Sequence, residues 1–325
     1  MKNNRIDYID FIRGVGIILM IMGHVWFGEI FDKWIHAFHM PLFFVVSGFF
    51  YTKNNKRTYL TIVKKNVLSL IVPYIVLSTF YLILYYLLYG YNSMLGMIKY
   101  VCLFNTTTFP IAGAMWFLTS LFWTIIIYTS MDRLIHNNIL KNIIFICIPV
   151  VITFFSSKMM VLPFGLSQSI VGIGFYHFGN KLYKYKDSKL LVKTKRMNIL
   201  FVFLLFVINS IIILSNKNIN MRISLYDNFI LFWINAIVAI LILWYCSRKI
   251  CEYNFKSINF IKNIGENSIV YLCFNQIAIM LSRELLIYKI KYLDRLITLI
   301  CTMIILYIIY FIIKKTFLNK MFKCK

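Results

Sequence analysis

Apolar runs of membrane-spanning length constrain this chain more than any other feature. Bounded by charged or turn residues, they fall at about 10–29, 35–52, 67–89, 112–130, 139–156, 159–181, 197–215, 227–246, 267–287 and 294–313. A hydrocarbon core of about 30 Å needs roughly 20 apolar helical residues. No water there satisfies backbone N–H and C=O groups, so each run is predicted to close its own hydrogen bonds as a helix. The expected fold class is all-α: a polytopic transmembrane helical bundle of about ten spans with both termini cytoplasmic. Met94 to Asn105 is too short to span and is expected to be interfacial or re-entrant. Composition agrees, at 61% hydrophobic and 14% charged, where a soluble domain sits near half and a quarter.

The net charge of +24 follows from topology. With the N-terminus inside, inner loops and tails hold 26 of the 35 Lys and Arg residues, counting Arg13 as inner; outer loops hold 8 and Arg283 lies within a span. Inner loops include Lys53 to Lys65 and the run Lys181, Lys184, Lys186, Lys189, Lys193, Lys195, Arg196. Such a bias sets orientation, and attraction to anionic lipid is a by-product, so no nucleic-acid partner is expected. The Met1 to Arg5 start ahead of an apolar run mimics a signal peptide, but Arg13 within that run argues that the segment is retained. The cysteines at 102, 147, 246, 251, 273, 301 and 324 show no paired ligand spacing, so neither a disulfide framework nor a metal site is read from them. No Pro, Gly or Ser-rich linker divides the chain, and residues 1–325 are expected to form a single membrane domain.

Two apolar stretches carry residues that hydrocarbon rejects: Asp10 to His24 and His36 to Tyr51. A charged side chain at the centre of a membrane helix costs about 2.5 to 3.5 kcal/mol, which makes it a functional candidate. Arg13 and His24 are eleven residues apart, returning to within about 20° of one helix face and separated by roughly 16 Å along the axis. Asp10, three residues before Arg13, can pair with it on that face. Gly14, Gly16 and Gly23 leave room for a neighbouring helix or a ligand.

Asp10-Phe-Ile-Arg13-Gly14, Gly23-His24, Phe38-His39-Met40-Pro41-Leu42-Phe43-Phe44 and Ser47-Gly48 resemble the acyltransferase 3 family of integral membrane acyltransferases. The resemblance is closest to short members that act as sugar O-acetyltransferases. Met115-Trp116-Phe117-Leu118 and Ile264-Gly265-Glu266-Asn267-Ser268 resemble two later landmarks in the expected order. Many relatives carry a His seven residues after the position of Ser268; here it is Asn275, so no role of that His carries over.

The resemblance implies transfer of an acyl group, in the first place acetyl, from cytoplasmic acetyl-CoA or another acyl-CoA to a hydroxyl of a surface polysaccharide or lipid-linked glycan. His24, Arg13 and His39 are the candidate catalytic residues. Asp10, Ser47, Trp116, Lys64, Lys65 and Asn275 are the substrate-binding candidates. Arg13 would face the donor phosphates, helped by Lys64 and Lys65, and His24 suits deprotonation of the acceptor because an imidazole titrates near neutrality. An acyl-Ser47 intermediate is chemically open but nothing in the sequence demands it.

Each candidate has a structural alternative. Arg13 near a helix end can snorkel to headgroups. His24 can be a buried, hydrogen-bonded histidine, His39 an interfacial one, and Ser47-Gly48 a helix-packing pair. His24, His36 and His39 with Glu29 and Asp32 can be read as a metal cluster, though the spacing lacks a ligand signature, and no metal is expected. Trp116 and Trp123 can be core or interface anchors. Gly172-x-Gly174-x-x-His177 reads as close helix packing, because no strand precedes it as a phosphate loop requires. Arg283-Glu284 reads as a snorkelling pair, while Arg222 and Arg283 can contact an anionic glycan carrier. The alternative function is export of a surface polysaccharide or its precursor, since a polar intramembrane path serves transport too. High Ile, Asn and Lys usage points to an AT-rich bacterial genome and hence to a bacterial cytoplasmic membrane.

Overall fold

The structure, a computed structural model, describes residues 6–51, 58–90, 94–103, 113–156, 162–185, 198–216, 218–253, 255–285, 293–322 and 324. Met1 to Arg5, Lys53, Asn105 and Lys186 to Arg196 lie outside the described residues. The chain is a polytopic helical bundle, with almost no sheet among the described residues.

Helix α1 (Asp7–Val25) carries Asp7 and Asp10 in its first turn, where carboxylates complement the helix dipole. It ends at Trp26, a left-handed cap whose N–H donates to the carbonyls of Met22 and Gly23. Next come α2 (Glu29–His36) and α3 (His39–Phe49), so the predicted 35–52 span is not one continuous helix. Phe38 breaks it with non-helical angles, and Pro41, lacking an N–H, falls in the first turn of α3, where that donor has no partner to lose. At 11 residues, α3 is about 16 Å long, half a hydrocarbon core.

Helix α4 (Tyr59–Asn66) runs through a π-helical turn (Val67–Ile71) into α5 (Val72–Tyr89). The widened turn precedes Pro73, which cannot donate to the helical ladder. Helix α6 (Met94–Cys102) is only nine residues, matching the short segment expected there. A 3-10 turn (Gly113–Met115) leads into α7 (Trp116–Leu134), followed by α8 (Asn138–Phe155), α9 (Leu166–Tyr185) and α10 (Ile199–Ser215). Between α10 and α11 (Phe229–Ile250) sits a small antiparallel hairpin: β1 (Ile219–Asn220), a 3-10 turn (Met221–Ile223) and β2 (Leu225–Tyr226). Helix α12 (Lys256–Glu266) meets α13 (Ser268–Leu285) at an 88° bend, and α14 (Leu293–Lys315) and α15 (Asn319–Phe322) follow.

Among the described residues, six helices are long and apolar enough to cross a membrane, or seven if the bent α12–α13 pair is one span. The other expected spans also coincide with helices: α3 is short, α10 has 17 residues, and α9 buries Gln168, Ser169, His177 and Asn180. Polar side chains inside α9 lower its apolarity because they face the protein interior.

Two close helix crossings assemble the centre. On α1 against α12, a Cβ on Gly265 would collide with the carbonyl oxygen of Asp10, and one on Gly14 with that of Ile261. On α3 against α9, Gly48 faces the carbonyl of Tyr176 and Gly179 that of Val45 in the same reciprocal way. Backbones approach this closely only across residues without side chains, as is usual where lipid supplies no hydrophobic drive between helices. Gly172 and Gly174 lie against Phe44 and Trp233, so the glycine cluster beside His177 is helix packing, as its sequence suggested.

Candidate active site

Among the described residues, cavities lie toward both ends of α1. Toward its C-terminal end lies a cavity of about 330 Å³, lined by His24, His36, His39, Asp32, Trp116 and Arg222 among others. Toward its N-terminal end lie two of about 210 and 190 Å³ that share Arg13, Ser47, Leu70 and Leu121. Leu272 of α13 lines both the His24 cavity and the larger Arg13 cavity, and so forms the waist between them.

The His24 cavity is built by the helix break at Phe38. Ending α2 at His36 and starting α3 at His39 brings the two rings to 5.0 Å between centroids, edge to face. His39 Nδ1–H donates to the carbonyl oxygen of Ile35 at 2.8 Å, because a carbonyl only accepts. In the neutral ring this leaves the Nε2 lone pair as the acceptor. His36 Nδ1–H donates likewise to the carbonyl oxygen of Asp32 at 2.8 Å, with the Asp32 carboxylate 3.3 Å away. Among the described residues no hydrogen bond reaches the ring of His24, which is half-buried on the cavity wall. The same residues contain no group of three His, Cys, Asp or Glu side chains arranged to hold a metal ion.

The Arg13 cavities have a different character. Arg13 Nη1 lies 3.5 Å from Asp10 Oδ1, and its guanidinium sits 5.3 Å from the centroid of the Phe50 ring. Glu266, Asn267 and Ser268, at the bend between α12 and α13, line the larger of the two. There Asn267 Nδ2 donates to the carbonyl of Asn263 at 2.8 Å, closing the end of α12. The smaller one adds Lys65, Asn66, Tyr51 and Tyr176. Tyr51 is held from outside the cavity: its hydroxyl donates to Asp132 Oδ2 at 2.9 Å, and Lys141 Nζ donates to Oδ1 of the same carboxylate at 2.6 Å.

A family model described as an acyltransferase domain matches residues 6–315, nearly the whole chain. The chain belongs to the acyltransferase 3 family. It is a multi-pass membrane acyltransferase. No curated protein matches it.

In this acyltransferase the sequence-predicted residues divide between the two ends. His24, His39 and Trp116 line one cavity; Arg13, Ser47 and Lys65 line the others, and Asp10 stands behind Arg13. Lys64 lines none of the three and is exposed. Asn275 also lies outside them: it is buried, and its Nδ2 donates to the carbonyl of Leu272 on its own helix. Residues that reasoning from sequence left off the site are Leu272, an ordinary apolar residue, and Glu266 and Asn267, visible only as part of a motif. Arg222 was visible as one of eight outer-loop cations, read with Arg283 as a contact for an anionic glycan carrier, but nothing in the sequence joins it to His24.

Proposed function

We propose that the acyltransferase moves an acetyl group from acetyl-CoA, bound at the Arg13 end, to a hydroxyl of a surface polysaccharide or lipid-linked glycan presented at the His24 end. The observation that carries this reading is the opposition of the two ends along one helix: a guanidinium and Lys65 at one, imidazoles at the other. The Lys and Arg bias supports a cytoplasmic N-terminus, which puts the Arg13 end on the side where acyl-CoA is found.

The donor's phosphates pair with Arg13 and Lys65, and aromatic Tyr51, Tyr176 and Phe50 flank its adenine. The thioester extends past Ser47 toward the waist at Leu272. His24 accepts the proton of the acceptor hydroxyl as its oxygen attacks the thioester carbonyl carbon. The C–S bond breaks, the CoA sulfur leaves as thiolate and takes up that proton, and an O-acetyl ester remains. His39, with its Nε2 lone pair available, orients the hydroxyl. No metal takes part in this scheme.

The test is the O-acetyl content of surface polysaccharide from cells lacking the gene, complemented with wild type, His24→Ala or Arg13→Ala at matched membrane levels. Wild type is expected to restore the ester while both variants fail and polysaccharide yield stays constant. Yield that follows the gene, with ester per sugar unchanged, would replace catalysis by export.

A further inference from the structure

Behind the smaller Arg13 cavity lies an aromatic cluster distinct from the main core. Tyr51, Tyr128, Phe145, Ile173 and Tyr176 are all buried and pack on one another. Tyr51 meets the Tyr128 ring edge to face at 5.0 Å between centroids and the Tyr176 ring at 6.0 Å, and Tyr128 stacks on Phe145 at 4.4 Å. Phenylalanine would serve packing alone, whereas a buried hydroxyl costs free energy unless it is hydrogen-bonded. The Tyr128 hydroxyl lies 2.9 Å from His177 Nδ1, and Asn142 Oδ1 lies 3.1 Å from Nε2. A carboxamide oxygen only accepts, so Nε2 carries the hydrogen and Nδ1 accepts from the tyrosine.

The Tyr51 hydroxyl is tied to charge. It donates to Asp132 Oδ2 at 2.9 Å, and Lys141 Nζ donates to Oδ1 of that carboxylate at 2.6 Å. Asp132 stands in the last turn of α7 and Lys141 in the first turn of α8, with side chains only 16% and 18% exposed, so water screens the pair little. Neither lines any of the three cavities, so what they do for a bound molecule they do through Tyr51. Tyr51 and Tyr176 line the smaller cavity with Arg13, Lys65 and Asn66. Asn66 Nδ2 donates to the carbonyl of Ile62 at 2.8 Å, and its Oδ1 is the acceptor that can meet an amino group.

We propose that Asp132, backed by Lys141, is a positioning residue of the donor site: it holds Tyr51 beside Tyr176 as an aromatic wall that selects a donor carrying the adenine base. The inference rests on the acyl-transfer reading above for the identity of that donor. A hydrogen bond to a carboxylate is stronger than a neutral one, so it fixes the ring at its hydroxyl end while Tyr128 and Tyr176 fix it from the side. A base meets such rings through its π-face, and the exocyclic amine of adenine is the kind of donor that Asn66 Oδ1 accepts from. A thioester on phosphopantetheine alone would bring no base to this wall.

The experiment measures equilibrium binding to the full chain purified in detergent. Two probes are compared: acetyl-CoA, and an analogue that keeps the ribose and all the phosphates but has hydrogen in place of the base. Wild type is expected to bind acetyl-CoA about tenfold more tightly, the scale of one base stacked on aromatic rings. Tyr51→Phe keeps the ring and loses its tie to Asp132, and Asp132→Ala removes the tie from the other side. Both are expected to bring the ratio down to about two or three by weakening acetyl-CoA alone, with the base-free analogue unaffected. Asp132→Asn still accepts from the hydroxyl and should recover part of the ratio. Equal affinities in wild type would overturn the aromatic wall and leave donor binding at Arg13 standing. Binding of neither probe would overturn the donor reading itself and the inference with it. A ratio unchanged in Tyr51→Phe and Asp132→Ala, with thermal stability lowered, would make Asp132 a purely structural residue and overturn its positioning role. Should Asp132→Ala not reach the membrane, Tyr51→Phe decides.

Discussion

At the N-terminal end of α1 the cavities hold a guanidinium beside a carboxylate, a lysine and aromatic rings; at the C-terminal end the cavity holds three imidazoles, two tryptophans and a second guanidinium. The first set is built from groups that keep their charge, which suits binding. The second is built largely from imidazoles, whose ring nitrogens can accept or donate a proton, which suits proton transfer. Both sets hang on one helix, and Leu272 is common to the walls of both. If donor binding and chemistry divide between the two ends as proposed, substitutions at the two ends should have different kinetic signatures.

The largest effect is expected at the imidazole end. His24→Ala should lower kcat for transfer about 10²- to 10⁴-fold, the usual contribution of a positioned general base, while acetyl-CoA affinity stays within a few-fold. Steady-state kinetics on the purified chain with a separate donor-binding measurement would check this. Equal losses in donor affinity and kcat would break the comparison, because His24 would then belong to both ends.

Arg13→Ala should show the converse: donor KM raised about 10- to 100-fold, as expected for losing one charge-assisted contact, with a smaller change in kcat. Arg13→Lys keeps the charge but not the fork, and should recover only part of the loss. A donor titration with desulfo or dephospho analogues sharpens the assignment. If Arg13 meets the phosphates, the variant should no longer distinguish acetyl-CoA from an analogue lacking the phosphate it binds.

Gly265→Leu tests whether one end can be disturbed mechanically without the other. The new side chain meets the backbone of Asp10 and Gly14, so α12 must move away from the first turns of α1. Overpacking of this kind costs about 1 to 3 kcal/mol, and thermal unfolding in detergent should show it. Because the wedge falls beside Arg13, donor KM should rise more than any acceptor parameter changes. An acceptor-side effect of equal size would mean that the two ends are coupled through Leu272.

Much of this division was legible before the structure. The eleven-residue spacing of Arg13 and His24 put both on one face of α1, since helical periodicity alone dictates it. The positions of the helices also followed from apolar runs. What periodicity cannot carry is the meeting of distant segments. Arg222 and His24 line one cavity, and Gln168, 54 residues before Arg222, pins the hairpin turn that carries it. The bend at Asn267 and the break at Phe38 interrupt runs that read as apolar throughout, and both breaks end up lining or framing a cavity. Asn275 drew attention through the position it occupies, yet its side chain turns back to its own helix.

The smallest expected difference separates two neighbouring lysines. Lys64 and Lys65 were indistinguishable in sequence, both basic and both on the inner side. Successive helical residues diverge by about 100°, so only one of them can share the face of α4 that meets the Arg13 cavities. That residue is Lys65, which lines the smaller cavity with Arg13, while Lys64 lines neither. Both are exposed, so screening limits what either contributes, to about 1 kcal/mol or less. Lys65→Ala should therefore raise donor KM only about two- to fivefold, an effect that fades with added salt. Lys64→Ala should leave donor KM unchanged within error. An equal rise for both would mean that the inner surface attracts the donor by its summed charge, and that the cavity seen beside Lys65 does not select it.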